Sequence, residues 1–235
     1  MTSNAGENRR TVLTGAAALV GASALEAALS PTMGQVGASV AIPYGVAVQE
    51  DLLNADPRYL AAVKSNCQMI VAEGAMKMGG IQPQRGKFAF QGGDNLVAFA
   101  HANGMQIRGH TLVWYAANPE WVKEISTPLE AERELVRHIE GVVSHFKGRI
   151  KSWDVVNEPI AEEPAHNRDL RRSVWLQHLG PRYLEIALRT AAAVDPGLQL
   201  VINEFNIETN DKVQRRRRDT ILTLLRDLKQ KGVPL

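Results

Sequence analysis

From Gly45 onward the sequence alternates strand-length apolar segments with longer stretches of helical periodicity, five times over. The segments are GVAVQ (45–49), MIVAE (69–73), IRGHTLVW (107–114), WDVVNE (153–158) and LVINEF (200–205). Helical spacing fills the intervals near 55–66, 92–103, 129–146, 181–193 and 211–231. Strands that are apolar nearly throughout, each followed by a helix, imply parallel strands covered by helices, because both faces of such strands are buried. Local signals set several limits. Thr127-Pro128 with Glu130 starts a helix, Gly104 follows one ending near Asn103, and Asp195-Pro196-Gly197 forces a turn.

An α/β barrel and an open doubly wound sheet both fit this alternation, and the polar residues choose between them. Glu73, His110, Glu158 and Glu204 fall at or near the C-terminal ends of four of the five segments. A parallel barrel gathers its catalytic groups from different strands at that end. No glycine-rich phosphate loop follows the first segment, so a dinucleotide-binding sheet lacks its main support.

At 235 residues and 45% hydrophobic, the chain can bury one sizeable core as one domain. The balance of 27 basic against 25 acidic residues, net +2, argues against nucleic acid or an anionic membrane as partner. Cys67 stands alone, so neither a disulfide nor a zinc site can be built around it. The one basic run, Arg215 to Arg218, lies where Val213, Ile221, Leu224, Leu225 and Leu228 recur at helical spacing. It is expected to be a solvated helix face.

Residues 1–30 differ from the rest. Arg9 and Arg10 precede fifteen uncharged residues, Thr11 to Leu25, with Ala22-Ser23-Ala24 as candidate cleavage site. That layout matches a twin-arginine signal peptide, and the stretch is too short and too rich in Ala and Gly for a stable membrane anchor. The expectation is export by a bacterium through the twin-arginine machinery, to the periplasm or beyond.

Glu158 ends an apolar segment, where partial desolvation favours the protonated carboxyl group that a general acid needs. A glutamate at a strand end is by itself more often structural. Asn157 beside it, Trp114 and Trp153 with flat apolar faces, and Lys77 and His110 from other strand ends shift the reading toward a sugar-binding site.

These residues carry a family resemblance. ANGMQIRGHTLVW, WDVVNE and LVINEFNIE resemble blocks of glycoside hydrolase family 10, the retaining endo-1,4-β-xylanases, from about Val46 to Leu235. The resemblance implies a (β/α)8 TIM-type barrel over residues 40–235, acting on xylan or xylo-oligosaccharides with no metal and no cofactor. It implies Glu158 as acid/base and Asn157 as the group holding a sugar 2-hydroxyl. Glu73 and Lys77 in EGAMKM, and His110 and Trp114 in GHTLVW, fall on glycone-binding positions. Asp154 is implied as a supporting partner behind them, and Asn203 with Glu204 as further substrate-binding residues. Gly74, Met78, Tyr115 and Ala117 depart from the family's Asn, Trp, His and Gln. Gly74 and Ala117 together imply a weaker hold on the second glycone sugar.

A retaining glycosidase uses two carboxyl groups roughly 5–5.5 Å apart. The family's nucleophile lies in a Thr-Glu-Leu-Asp block at its seventh strand, and this sequence holds no such block. A full barrel takes about 250 residues against about 200 here after the signal, so the expectation is roughly the first five βα units of an incomplete domain, inactive alone. Glu204 as substitute nucleophile is disfavoured, since it neighbours the acid/base strand. Unpaired first and fifth strands predict a chain prone to aggregation or only partly folded. The alternative is a non-catalytic carbohydrate-binding remnant of the same barrel. Another barrel hydrolase sharing the Asn-Glu pair is disfavoured by GHTLVW and EGAMK.

Overall fold

The computed structural model describes residues 32–39 and 42–235; the signal-peptide expectation falls on residues outside these. Five strands form one parallel sheet: β1 Gly45–Val48, β2 Met69–Ala72, β3 Gln106–Val113, β4 Ser152–Asn157 and β5 Gln199–Asn203. Their order is strictly sequential, β1-β2-β3-β4-β5. A doubly wound sheet reverses its order at a switch point, so sequential order selects the partial (β/α)8 barrel. β1 and β5 are the two edges of the described sheet.

The helices are α1 Met33–Ser39, α2 Glu50–Ala55, α3 Pro57–Asn66, α4 Met78–Ile81, α5 Gln91–Ala102, α6 Pro128–Phe146, α7 His166–Asp169, α8 Val174–Leu179, α9 Arg182–Val194 and α10 Lys212–Gln230, with a 3-10 turn at Glu120–Glu124. The five long helical patterns of the sequence become α3, α5, α6, α9 and α10. Their limits follow capping chemistry. Asp56 Oδ1 accepts from Arg58 N at 2.8 Å ahead of Pro57, so α2 and α3 are separate helices. Thr127 Oγ1 accepts from Glu130 N at 3.2 Å, while Glu130 Oε2 reaches back to Ser126 N at 3.0 Å. That reciprocal pairing satisfies two donors that the first turn would otherwise leave free.

The core lies between the sheet and α6 and α9. All six residues of β4 are buried, as a strand paired on both sides and covered by helices demands. α6 buries Ala131, Leu135, Ile139, Val142, Val143 and Phe146, and α9 buries Leu184, Ala187, Leu188 and Ala191, each set a single helical stripe. Each buried Leu, Ile or Val contributes about 1.5–3 kcal/mol relative to exposure.

Trp153 belongs to this core rather than to a sugar platform: it is 1% exposed. Its indole lies across Gly109, its register partner on β3, where an added Cβ would stand 2.1 Å from Trp153 Cδ2. The glycine is what lets the indole lie there.

The arginine run also departs from expectation, because most of its side chains turn inward onto the loops that follow β4 and β5. Arg216 donates to the carbonyls of Ala161 and Glu162 and pairs with Asp169 at 2.9 Å. Arg217 is fully buried, and Arg218 reaches the carbonyls of Ile207 and Thr209. Arg215 caps the Asn210 carbonyl. The run is a clamp on two loops, since loop carbonyls without a helix or sheet partner need donors from elsewhere.

Candidate active site

The C-terminal ends of β2 to β5 bring the predicted residues to one rim. Glu73 follows β2, Trp114 follows β3, and Asn157 and Asn203 are the last residues of β4 and β5, with Glu158 next in line. Register shifts between His110 and Val113 and between Asp154 and Val156 interrupt the ladder at the same place. Irregularities of this kind re-aim side chains at strand ends. A groove of about 500 Å³ is lined by Glu73, Lys77, Arg108, His110, Asp154 and Asn203 among others. Trp114, Asn157 and Glu158 line a narrow recess that also includes Tyr115 and Arg171. Lys77 Nζ, 4.7 Å from the Trp114 ring centroid, joins the two spaces.

Glu158 is half-buried, and its Oε2 accepts from Trp114 Nε1 at 3.0 Å. Its backbone has φ +51°, a left-handed conformation that a non-glycine residue adopts rarely and at a cost of about 1–3 kcal/mol. The turn is held by Glu158 N donating to Asn203 O at 2.8 Å and by Arg171 Nε donating to Glu158 O at 3.1 Å.

Behind the groove, Asp154 is 3% exposed and organises its neighbours. It accepts from Arg108 Nε at 3.0 Å and from a second Arg108 N–H, and lies 2.8 Å from His110 Nδ1. A carboxylate oxygen can only accept, so His110 donates through Nδ1 and keeps Nε2 for the groove. Asn203 Nδ2 donates to Asn157 Oδ1 at 2.8 Å, which fixes the Asn157 amide with its NH2 as the remaining donor. The arrangement presents donors from Lys77, His110 and Asn157 and a carboxyl group from Glu158 to one polar ligand with several hydroxyls.

The Glu204 side chain, expected among the substrate-binding residues, is turned away from them. It is fully buried against Arg217 at 2.5 Å. Oε2 accepts from Ile160 N at 3.0 Å and Oε1 from Phe205 N at 3.1 Å. Burial pushes the Glu204 carboxyl up, while these N–H groups and the Arg217 and Arg171 charges pull it back.

Arg108 and Arg171 escaped the sequence reading. For Arg108 the signal was its place on the same strand as His110, two residues earlier and so on the same face. For Arg171 there was none, since it returns from a loop thirteen residues past Glu158 and stacks 4.6 Å over the Tyr115 ring. Among the described residues no group of three or more His, Cys, Asp or Glu is arranged to hold a metal ion.

Residues 33–235 match the model of glycosyl hydrolase family 10. Endo-1,4-beta-xylanase A of Thermoanaerobacterium saccharolyticum is 40% identical over 207 residues, which cover 82% of this chain and 17% of that protein. Endo-1,4-beta-xylanase C of Phanerodontia chrysosporium is 36% identical over 195 residues, 82% of this chain and 47% of that protein. The solved structure of xylanase 10B from Thermotoga petrophila RKU-1 in complex with xylobiose superposes with a TM-score of 0.79 at 32% identity, covering 87% of this chain and 61% of that one. The chain therefore spans less than half the length of either relative and under two thirds of that structure.

Proposed function

The chain belongs to glycosyl hydrolase family 10, and from that membership we propose that it supplies the acid/base half of a retaining endo-1,4-β-xylanase site. The observation that carries this reading is the setting of Glu158, turned at positive φ onto the rim with its carboxyl group held by Trp114. In the proposed reaction Glu158 protonates the glycosidic oxygen as a second carboxylate attacks the anomeric carbon. Glu158 then takes a proton from the water that releases the glycosyl group. Lys77, His110 and Asn157 hold sugar hydroxyls, and Asp154 keeps His110 in its donating orientation. Two carboxyl groups suffice for this chemistry, so the proposal names no cofactor.

A second reading, sugar binding without hydrolysis, draws on the state of the neighbouring carboxylates. Asp154 is engaged by Arg108 and His110, and Glu204 by Arg217, so neither is free to attack. One experiment separates the readings: reducing-sugar release from xylan by this chain and by a version extended with three further βα units of a relative, each beside Glu158→Gln. Hydrolysis by the extended version alone, lost in Glu158→Gln, supports the acid/base assignment. Xylobiose binding with no hydrolysis in either version supports the second reading. Hydrolysis unaffected by Glu158→Gln sinks the first.

Arg9 and Arg10 ahead of an uncharged run support the further proposal of twin-arginine export. Replacing both by lysine should retain the protein in the cytoplasm, and unchanged export would reject it.

A further inference from the structure

Two opposite charges are sealed together behind the rim, and their stability contribution does not explain them. Arg217 and Glu204 meet at 2.5 Å with both side chains fully buried. Desolvation offsets the attraction in such a pair, and apolar residues of similar volume often stabilise as well or better. What the pair supplies is direction. Glu204 Oε2 accepts from Ile160 N at 3.0 Å, two residues beyond Glu158. Arg217 Nη1 donates to Phe205 O at 3.1 Å and to Gln214 Oε1 at 2.7 Å, and its guanidinium lies 4.4 Å from the Phe205 ring centroid.

The same ring lies 5.5 Å from the Arg171 guanidinium, whose Nε donates to Glu158 O. On its other side Glu158 N donates to Asn203 O, next to Glu204 in sequence. A non-glycine residue keeps a left-handed backbone only where its surroundings over-determine it, and these are the surroundings.

We propose that Arg217 is a positioning residue for Glu158, acting through Glu204 on the Ile160 peptide and through Phe205 and Arg171 on the Glu158 carbonyl. The purpose rests on reading Glu158 as acid/base, while the positioning itself can be observed without turnover. Trp114 Nε1 donates to the Glu158 carboxyl group, so the indole N–H resonance of Trp114 moves as that group gains or loses its proton.

The test is a pH titration of the four indole N–H resonances in the full chain, with Trp114 assigned by Trp114→Phe and its source by Glu158→Gln. Arg217→Met combined with Glu204→Met removes both charges at similar volume. The expected result is that Trp121, Trp153 and Trp175 keep their positions while Trp114 loses most of its pH-dependent excursion. An unchanged excursion with the other three in place overturns the proposal, as does a wild-type Trp114 resonance indifferent to Glu158→Gln. Should the double variant not fold, Glu204→Asp decides: it keeps the charge, shortens the reach to Ile160 N, and is expected to give a smaller loss of the same kind. An excursion identical to wild type in Glu204→Asp also overturns the proposal. Failure of xylan hydrolysis by the extended version, alongside the expected titrations, would remove the proposed function and leave the positioning standing.

Discussion

His138 ties stability to pH in the mildly acidic range. It is fully buried on α6, with Nδ1 2.9 Å from Gln82 Oε1. Burial pushes its pKa down from 6.5 to about 3, against a smaller opposing pull from the Leu112 carbonyl. The unfolded chain therefore takes up a proton near pH 6.5 that the folded chain refuses until about pH 3. Because the unfolded state binds more protons in that window, stability falls as pH falls, by about 1.4 kcal/mol per unit. At about pH 5 the loss from this one residue is about 2 kcal/mol. Urea unfolding of the wild type and His138→Gln between about pH 7.5 and pH 5 isolates it, because the carboxylates titrate alike in both. The expected outcome is a wild-type advantage that shrinks by about 2 kcal/mol over that range. Parallel stability curves would refute the argument and show that the histidine gains its proton without leaving the core.

Two substitutions probe glycines with opposite surroundings. Gly109→Ala places a methyl group 2.1 Å from the Trp153 indole, so β3 and β4 must part, and a loss of about 1–3 kcal/mol is expected in thermal unfolding. An unchanged Tm would mean that Trp153 moves freely. At Gly74 an added Cβ meets nothing within 4 Å, so Gly74→Asn fits beside Glu73 and Lys77 and adds hydrogen-bonding groups to the cleft. Calorimetry should show tighter binding of a xylo-disaccharide by about 1 kcal/mol, and equal affinity would reject a glycone role for this position.

The sheet was readable because its signal is local. Five apolar runs and five helical stripes each declare their own period, while the choice of sequential order over a doubly wound one rested on the polar residues at the strand ends. The short helices α1, α2, α4, α7 and α8 span too few residues for periodicity to register. The rim was readable in part, since a polar residue ending an apolar run, such as Glu158 or Asn157, has few reasons to be there. What spacing cannot show is who returns to meet it. Glu204 resembles Glu158 in context, yet an arginine thirteen residues later withdraws it into the protein. Trp153 and Trp114 look alike in sequence, but alternation across the sheet and a facing glycine bury the first. The charge run shows the same limit, because helical periodicity reports which face is apolar and says nothing of loop carbonyls waiting for donors.

That run bears on how the protein meets proteases. Arg215 to Arg218 form the longest block of trypsin-type cleavage sites in the sequence. They lie within a helix, with Arg216, Arg217 and Arg218 holding the loops around Glu158. A protease needs the segment extended, so it cuts only after those contacts release, and where reclosing is fast its rate follows the population of the opened form. Cleavage at this block thus serves as a clock for loosening of the rim, and a ligand that orders the rim should slow it.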